Sequence, residues 1–178
     1  MINIVLYEPE MPANTGNIGR TCVITGARLH LIEPLGFHLN EKMIKRAGLD
    51  YWDRLDVTRY MDYNDFLARN PGVAGTMGAE DVTGTSSVKM FYATTKAKHR
   101  YSDVRYTEDC YIMFGKESAG IPEEILVQHP EECIRIPMLP GERSLNLSNS
   151  VSIVLYEALR QLDFPGLESE GELHHLSW

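Results

Sequence analysis

Residues 2–7 are apolar almost without a break, the pattern of a short strand buried on both faces. A polar loop, EPEMPANTGN, follows. Ile18, Cys22 and Val23 then fall at helical spacing over residues 18–25, and Gly26 supplies the stop. Residues 29–32 read as a second strand, ended by Glu33-Pro34. Asn40 can cap a helix through Met43, Ile44 and Ala47, and residues 62–68 form another short helix. Strands resume at residues 90–94 and 110–114. Pro122 suits the first turn of a helix through Ile125 and Leu126, and ECIRIP, residues 132–137, is the last strand. Leu147, Val151, Val154, Leu155, Ala158, Leu159 and Leu162 mark one face of a closing helix.

Strands alternate with helices throughout, so the fold class is α/β, a mainly parallel sheet with helices on both faces. The pattern breaks at residues 72–88, GVAGTMGAEDVTGTSSV, which have no steady period and read as an inserted surface loop or weak hairpin. One domain over residues 1–166 and an acidic, flexible tail over 167–178 complete the expected organisation.

The chain has 178 residues, 43% apolar and 24% charged, which suits one folded domain and excludes a disordered or fibrous chain. No apolar run approaches a membrane span, and the N-terminus lacks the basic and small-residue features of a signal peptide. A cytoplasmic protein with no membrane partner is expected. Cys22, Cys110 and Cys133 are odd in number and far apart, so they read as reduced, buried thiols. Net charge is −8, but the segment from Asp163 onward contributes four acids and no Lys or Arg; without it the balance is −4. Any RNA surface must therefore be a local patch, and Lys42, Lys45 and Arg46 form one, with Tyr51 and Trp52 nearby.

In an open α/β sheet, ligands bind beyond the carboxyl ends of the strands. Three segments stand at such ends: NTGNIGR (14–20), FGKESAGIP (114–122) and RIPMLPGERSLNLS (135–148). Each alone admits a plain structural role. Asn14 or Thr15 could cap a helix, Glu117 could be an exposed loop acid, and Ser144 or Asn146 could cap the last helix. Three of them together, the last rich in hydroxyls and amides, call for more. The glycine fingerprints of dinucleotide and P-loop folds are absent, as are H-E-x-x-H and G-x-S-x-G. The histidines are scattered, and no metal is expected.

Taken together the segments resemble the SPOUT class of RNA methyltransferases, and most closely its small tRNA 2′-O-methyltransferase branch, the TrmL type. The resemblance runs from about residue 2 to 166. It includes LYEPE-PANTGNIGR, RLHLIEPLGF, RAGLDYW, ATTK, YIMFG-E, RIPM and RSLNLSNSVS-VLYEALRQL. Lys116 and Ala119 stand where close relatives often carry Pro and Arg.

The resemblance implies methyl transfer from S-adenosylmethionine to the ribose 2′-OH of the wobble nucleotide, cytidine 34 or modified uridine 34 of a leucine tRNA, with the anticodon loop as the RNA partner. It implies a C-terminal trefoil knot, with small polar side chains satisfying backbone groups in its wall, and a homodimer with the active site at the interface. Carried over residue by residue, cofactor contacts fall at Ala93, Thr94, Gly115, Gly120, Ile136, Met138 and Ser144, with Thr95 close by. Arg20 matches the catalytic arginine thought to help deprotonate the ribose 2′-OH, with orientation of the phosphate and stabilisation of the alkoxide as the alternative role; Asn14 orders its loop, Glu117 matches the motif-two acid and Asn146 the motif-three amide. Two other readings remain open: ribose methylation at another tRNA or rRNA site, or a non-catalytic RNA- or cofactor-binding protein. An oxidoreductase is disfavoured by the missing glycine fingerprint.

Overall fold

The structure, a computed structural model, describes residues 1–38, 51–74 and 88–176. Its strands are β1 (Asn3–Tyr7), β2 (Arg28–Ile32), β3 (Val57–Tyr60), β4 (Met90–Ala93), β5 (His99–Arg100), β6 (Tyr111–Phe114) and β7 (Cys133–Arg135). They form one sheet in the order β3-β2-β1-β6-β4-β7-β5, with every pair parallel. The helices are α1 (Pro12–Thr25), α2 (Tyr63–Arg69), α3 (Pro71–Ala74), α4 (Glu123–Leu126) and α5 (Leu147–Gln161), with a 3₁₀ turn at Trp52–Arg54. Among the described residues no helix is long and apolar enough to cross a membrane.

The central strands feed two cores. Ile4 and Leu6 of β1 point to one face, where Ile18 and Cys22 of α1 and Val151, Val154 and Leu155 of α5 cover them. Val5 points to the other face, beside Phe66 of α2 and Leu126 of α4. This two-sided burial explains the unbroken apolar run of residues 2–7. All three cysteines are free and buried, and burial raises the Cys22 thiol to about 12.

The α/β class and the strands at residues 2–7, 29–32, 90–94, 110–114 and 132–137 match the sequence reading to within a residue or two. Asp62 caps α2 by accepting from the Asp65 N–H at 2.8 Å, and Gly26 ends α1. Three points differ. First, α1 starts at Pro12, so Asn14 and Thr15 lie inside the helix and cap nothing. Its glycines obscured it: a Cβ at Gly19 would fit tightly, 3.1 Å from Leu55 and 3.2 Å from Trp52, so close packing accompanies a residue that propensity disfavours. Second, β3 is short and mixes Val57 and Tyr60 with Thr58 and Arg59, β5 is only two residues long, and pairing defines both rather than pattern. Third, Leu167 packs on the core, one residue beyond the expected boundary at 166. The helix expected from Asn40 lies outside the described residues, as does most of the 72–88 segment.

A buried polar chain crosses the second face. Asn3 Nδ2 donates to the carbonyls of Met1 and Asp109 at 3.1 and 3.2 Å, so its Oδ1 faces His30 Nε2 at 3.1 Å. That nitrogen therefore carries the imidazole proton. Nδ1 then accepts from the Tyr60 hydroxyl at 2.8 Å, which in turn accepts from Asn70 Nδ2 at 3.2 Å. Tyr111 completes the chain by donating to Asn70 Oδ1 at 3.1 Å. Burial, helped by Arg28 and Arg69, pushes His30 down from 6.5 to about 4. Between those values the unfolded chain binds more protons than the folded one. Stability is full above pH 6.5 and falls as the pH drops towards 4. This group should cost as much as roughly 3 kcal/mol of stability over that window. Urea denaturation at a series of pH values should show a steeper loss in the wild type than in His30→Gln, and equal slopes would refute the assignment.

Candidate active site

A cleft of about 730 Å³ opens beyond the carboxyl ends of β4, β6 and β7. Ala93, Thr94 and Thr95 line it from the end of β4, Phe114 to Gly120 from the end of β6, and Ile134 to Ile136 from β7. Met138, Ser144 and the start of α5 close it. All seven residues expected to contact a cofactor stand in this wall.

The loop after β6 turns back sharply on itself. Lys116 and Gly120 form an antiparallel bridge, and the Gly120 N–H donates to the Lys116 carbonyl at 2.8 Å. A Cβ at Gly115 would lie 2.0 Å from the Gly120 carbonyl carbon and 2.1 Å from the Ile121 nitrogen. No side chain fits there, so the cleft's shape requires this glycine.

A directional chain of hydrogen bonds joins the three segments singled out above. Asn146 caps α5: its Oδ1 accepts from the Ser148 N–H at 2.9 Å and the Asn149 N–H at 3.4 Å. With its oxygen so engaged, its Nδ2 donates to Asn14 Oδ1 at 3.0 Å. Asn14 Nδ2 donates in turn to Glu117 Oε1 at 2.9 Å. Each amide orientation follows from the one before. The positive end of the α5 dipole lies at the start and a carboxylate at the end. Residues 103 and 132 positions apart in sequence thus meet at Asn14.

A second set of contacts fixes the lip. The Glu10 N–H donates to Glu117 Oε2 at 2.8 Å, and the Glu10 carboxylate accepts from both the N–H and the hydroxyl of Ser118 at 2.8 Å. These bonds from Ser118 hold the Glu10 carboxyl below the usual range. Lys116 Nζ lies 2.8 Å from Glu8, which raises the lysine. The sequence offered no chemical signal for this clasp; only the spatial pairing of two loops reveals it.

Arg20 does not line the cleft. It projects from the exposed side of α1, its guanidinium carbon 5.2 Å from the centre of the Tyr51 ring. Tyr51 is buried and donates its hydroxyl to the Gly16 carbonyl, so it cannot stack on a base. Lys42, Lys45 and Arg46 lie outside the described residues. The hydroxyls after Asn146 also have local partners. Ser148 donates to Asn146 Oδ1, Ser150 to the Asn146 carbonyl and Ser152 to the Ser148 carbonyl. Ser144 and Asn146 are exposed, so the expected role of satisfying buried backbone groups is not what these side chains do within one chain.

Comparison with known proteins adds the following. The family model described as the SpoU rRNA Methylase family matches residues 1–156. A tRNA (cytidine(34)-2′-O)-methyltransferase of Escherichia coli strain K12 is 51% identical over 168 residues, covering 93% of this chain and 97% of that protein. A solved structure concerned with 2-OH methylation of C/U34 on tRNA superposes with a TM-score of 0.78 at 38% identity, covering 92% of this chain and 97% of the other. The SpoU methyltransferase AviRb of Streptomyces viridochromogenes, in complex with the cofactor AdoMet, shares the fold at 22% identity. Its TM-score is 0.72, over 90% of this chain and 57% of AviRb.

The hydrogen-bond chain predicts that two substitutions of Asn146 will separate its roles. Asn146→Ala loses the cap and should cost about 1 kcal/mol of stability. Asn146→Asp keeps an acceptor for the helix but cannot donate to Asn14. It should recover the cap but still melt below the wild type, because a carboxylate then faces the buried Asn14 Oδ1 and leaves Asn14 and Glu117 unaligned. Thermal unfolding of the two variants checks the difference.

Proposed function

This chain belongs to the SpoU methylase family, and on that premise we propose that it is an S-adenosylmethionine-dependent tRNA 2′-O-methyltransferase. Its substrate is the wobble nucleotide of the anticodon loop, cytidine 34 or modified uridine 34, and it works in the cytoplasm, where tRNAs are. The observation that carries the reading is near-full-length identity of 51% with a tRNA (cytidine(34)-2′-O)-methyltransferase.

The cleft suits the methyl donor in size and lining. Ligand sites of about 300–1,000 Å³ with apolar walls and a few polar groups are typical, and this one has about 730 Å³. Ile136, Met138, Leu147 and Val154 supply apolar wall, while Thr94 and Ser144 supply polar groups. Ala93, Thr94, Gly115, Gly120, Ile136, Met138 and Ser144 are the residues that would hold it. When bound, S-adenosylmethionine supplies a methyl group activated by a sulfonium charge.

The chain's own residues would then orient the ribose hydroxyl and stabilise its oxygen as it bonds to the methyl carbon, the S–C bond of the donor breaks and the hydroxyl proton passes to solvent water at the open cleft mouth. Alignment contributes at most ~7–11 kcal/mol to such a reaction. Asn14, Glu117 and Asn146 serve as positioning residues, because their facing groups are engaged with one another. A guanidinium stays charged at neutral pH, so Arg20 acts by holding phosphate and stabilising the developing oxyanion rather than by abstracting the proton.

Arg20 must reach a cleft that it does not line in its own chain. A homodimer supplies the route, with Arg20 of one protomer entering the cleft of the other. The exposed apolar side chains Ile24 of α1 and Ile153 and Tyr156 of α5 fit a protein interface on this side of the molecule. A knotted C-terminal part belongs to the same reading, as does an acidic tail that can be shortened without loss of activity.

Methylation of total bacterial tRNA, followed by nucleoside mass spectrometry and oligonucleotide mapping, tests the function. A 2′-O-methyl group at position 34 is expected; methyl elsewhere would discard the target. Arg20→Ala should keep donor affinity within about twofold by calorimetry and lose at least ~100-fold in transfer rate. Gly115→Ala should lose donor binding, because its Cβ would collide with backbone. Each variant should be inactive alone, and mixing the two should restore activity through the mixed dimer. No recovery in subunits that exchange would place Arg20 in its own protomer's cleft.

A further inference from the structure

The reaction above leaves one acid of the cleft lip without a task. Glu10 does not line the cleft, yet it is bonded three times to the loop that does. The Lys116–Gly120 bridge closes that loop into a tight hairpin with Glu117, Ser118 and Ala119 at its tip. Ser118, Ala119 and Gly120 all line the cleft. One carboxylate oxygen of Glu10 accepts from the Ser118 N–H and the other from the Ser118 hydroxyl, each at 2.8 Å. Two bonds from one planar carboxylate fix the rotation of that residue as well as its distance. The Glu10 N–H meanwhile holds Glu117 Oε2.

The support continues behind Glu10. After β2 the chain returns to the β1–α1 loop, where the Gly36 N–H donates to the Pro9 carbonyl at 3.0 Å. A Cβ at Gly36 would lie 2.7 Å from the Glu10 Cα and 3.0 Å from the Glu10 carbonyl oxygen. The backbone of Glu10 thus rests directly on that of Gly36, and no side chain fits between them. Leu35, next in the chain, packs on the first core and anchors this backing. Three layers stand in line: the loop after β2, the β1–α1 loop and the hairpin after β6. Neither Gly36 nor Glu10 belongs to the cleft lining, so each acts on the cleft only through the layer in front of it.

We propose that Glu10 is a positioning residue for the methyl donor, holding Ser118, Ala119 and Gly120 where the donor meets them, and that Gly36 fixes Glu10 from behind. The proposal rests on the reading above that the cleft binds S-adenosylmethionine. Contacts to a ligand are only as precise as the residues that support them, and a loop displaced by a fraction of an ångström loses affinity. The Lys116–Glu8 pair fastens the base of the hairpin separately. Loss of the Glu10 carboxylate therefore frees the tip while the loop stays attached, and the donor feels the change before the fold does.

Calorimetric titration of the full chain with S-adenosylmethionine, and KM measured separately for donor and tRNA, test the role. Glu10→Ala should weaken donor binding about tenfold, the scale of hydrogen bonds to a charged group. Its KM for tRNA should stay within about twofold of wild type. Glu10→Gln should bind the donor within about threefold of wild type, because its amide oxygen accepts from the Ser118 N–H and its NH₂ donates to the hydroxyl oxygen. Gly36→Ala leaves the Glu10 carboxylate in place but shifts its backbone, and should weaken the donor by at least about threefold. Equal donor affinity in wild type and Glu10→Ala would overturn the assignment and leave the enzyme reading standing. So would a loss that Glu10→Gln does not relieve, or an equal rise in KM for tRNA, which marks general loosening. Unchanged affinity in Gly36→Ala would overturn the backing role of that glycine. Wild-type protein that takes up no S-adenosylmethionine would overturn the donor reading itself and the role of Glu10 with it.

Discussion

The site depends on one run of directed hydrogen bonds, from the first N–H groups of α5 through Asn146 and Asn14 to the Glu117 carboxylate. Each amide has its oxygen turned towards the helix and its nitrogen turned towards the acid. Reversing any one would set donor against donor or acceptor against acceptor at the next link. The chain therefore specifies orientation as well as proximity, and it does so at the point where three distant segments converge. Removing its middle member would strip Glu117 Oε1 and Asn146 Nδ2 of their mutual link on the cleft wall, although Glu117 Oε2 would keep the Glu10 N–H and Asn146 Oδ1 its two helix N–H groups.

Three acids of this chain serve as structure around the cleft. Glu8, Glu10 and Glu117 all bind the two loops that form the cleft lip, through a lysine, a serine and a backbone N–H. The acid nearest the site is spent on hydrogen bonds, while Arg135 and Arg143 remain in the cleft lining. A patch of positive potential needs only a few uncompensated cations, whatever the sum over the surface.

Position divides the labour among the motif residues. Asn14 and Arg20 belong to the same helix, α1, six residues apart, which places them well over a turn apart and on different sides. Asn14 faces its own cleft and is buried, whereas Arg20 faces outward. One helix can therefore order one site and reach towards a second, which is why the proposed dimer and the reaction are a single hypothesis.

By itself, the sequence determined the α/β class, most strands, the free cysteines and the closing helix, because apolar runs and 3.6-residue spacing are properties of neighbouring residues. Resemblance placed Asn14, Glu117, Asn146 and seven wall residues at one site. The start of α1 was not legible, since Gly16 and Gly19 lower helix propensity, and Gly19 lies close against Trp52 and Leu55, which are distant in sequence. Nor were β3, four residues of mixed character, and the two-residue β5, which become strands through pairing with β2 and β7. Only the tertiary structure decided which polar groups bond to which, that Glu10 clasps Ser118, and that Arg20 turns away from the cleft of its own chain. Hydrogen bonds are short and directional, so they select partners by distance and angle in space, and residues over a hundred positions apart carry no mark of that choice in their order along the chain.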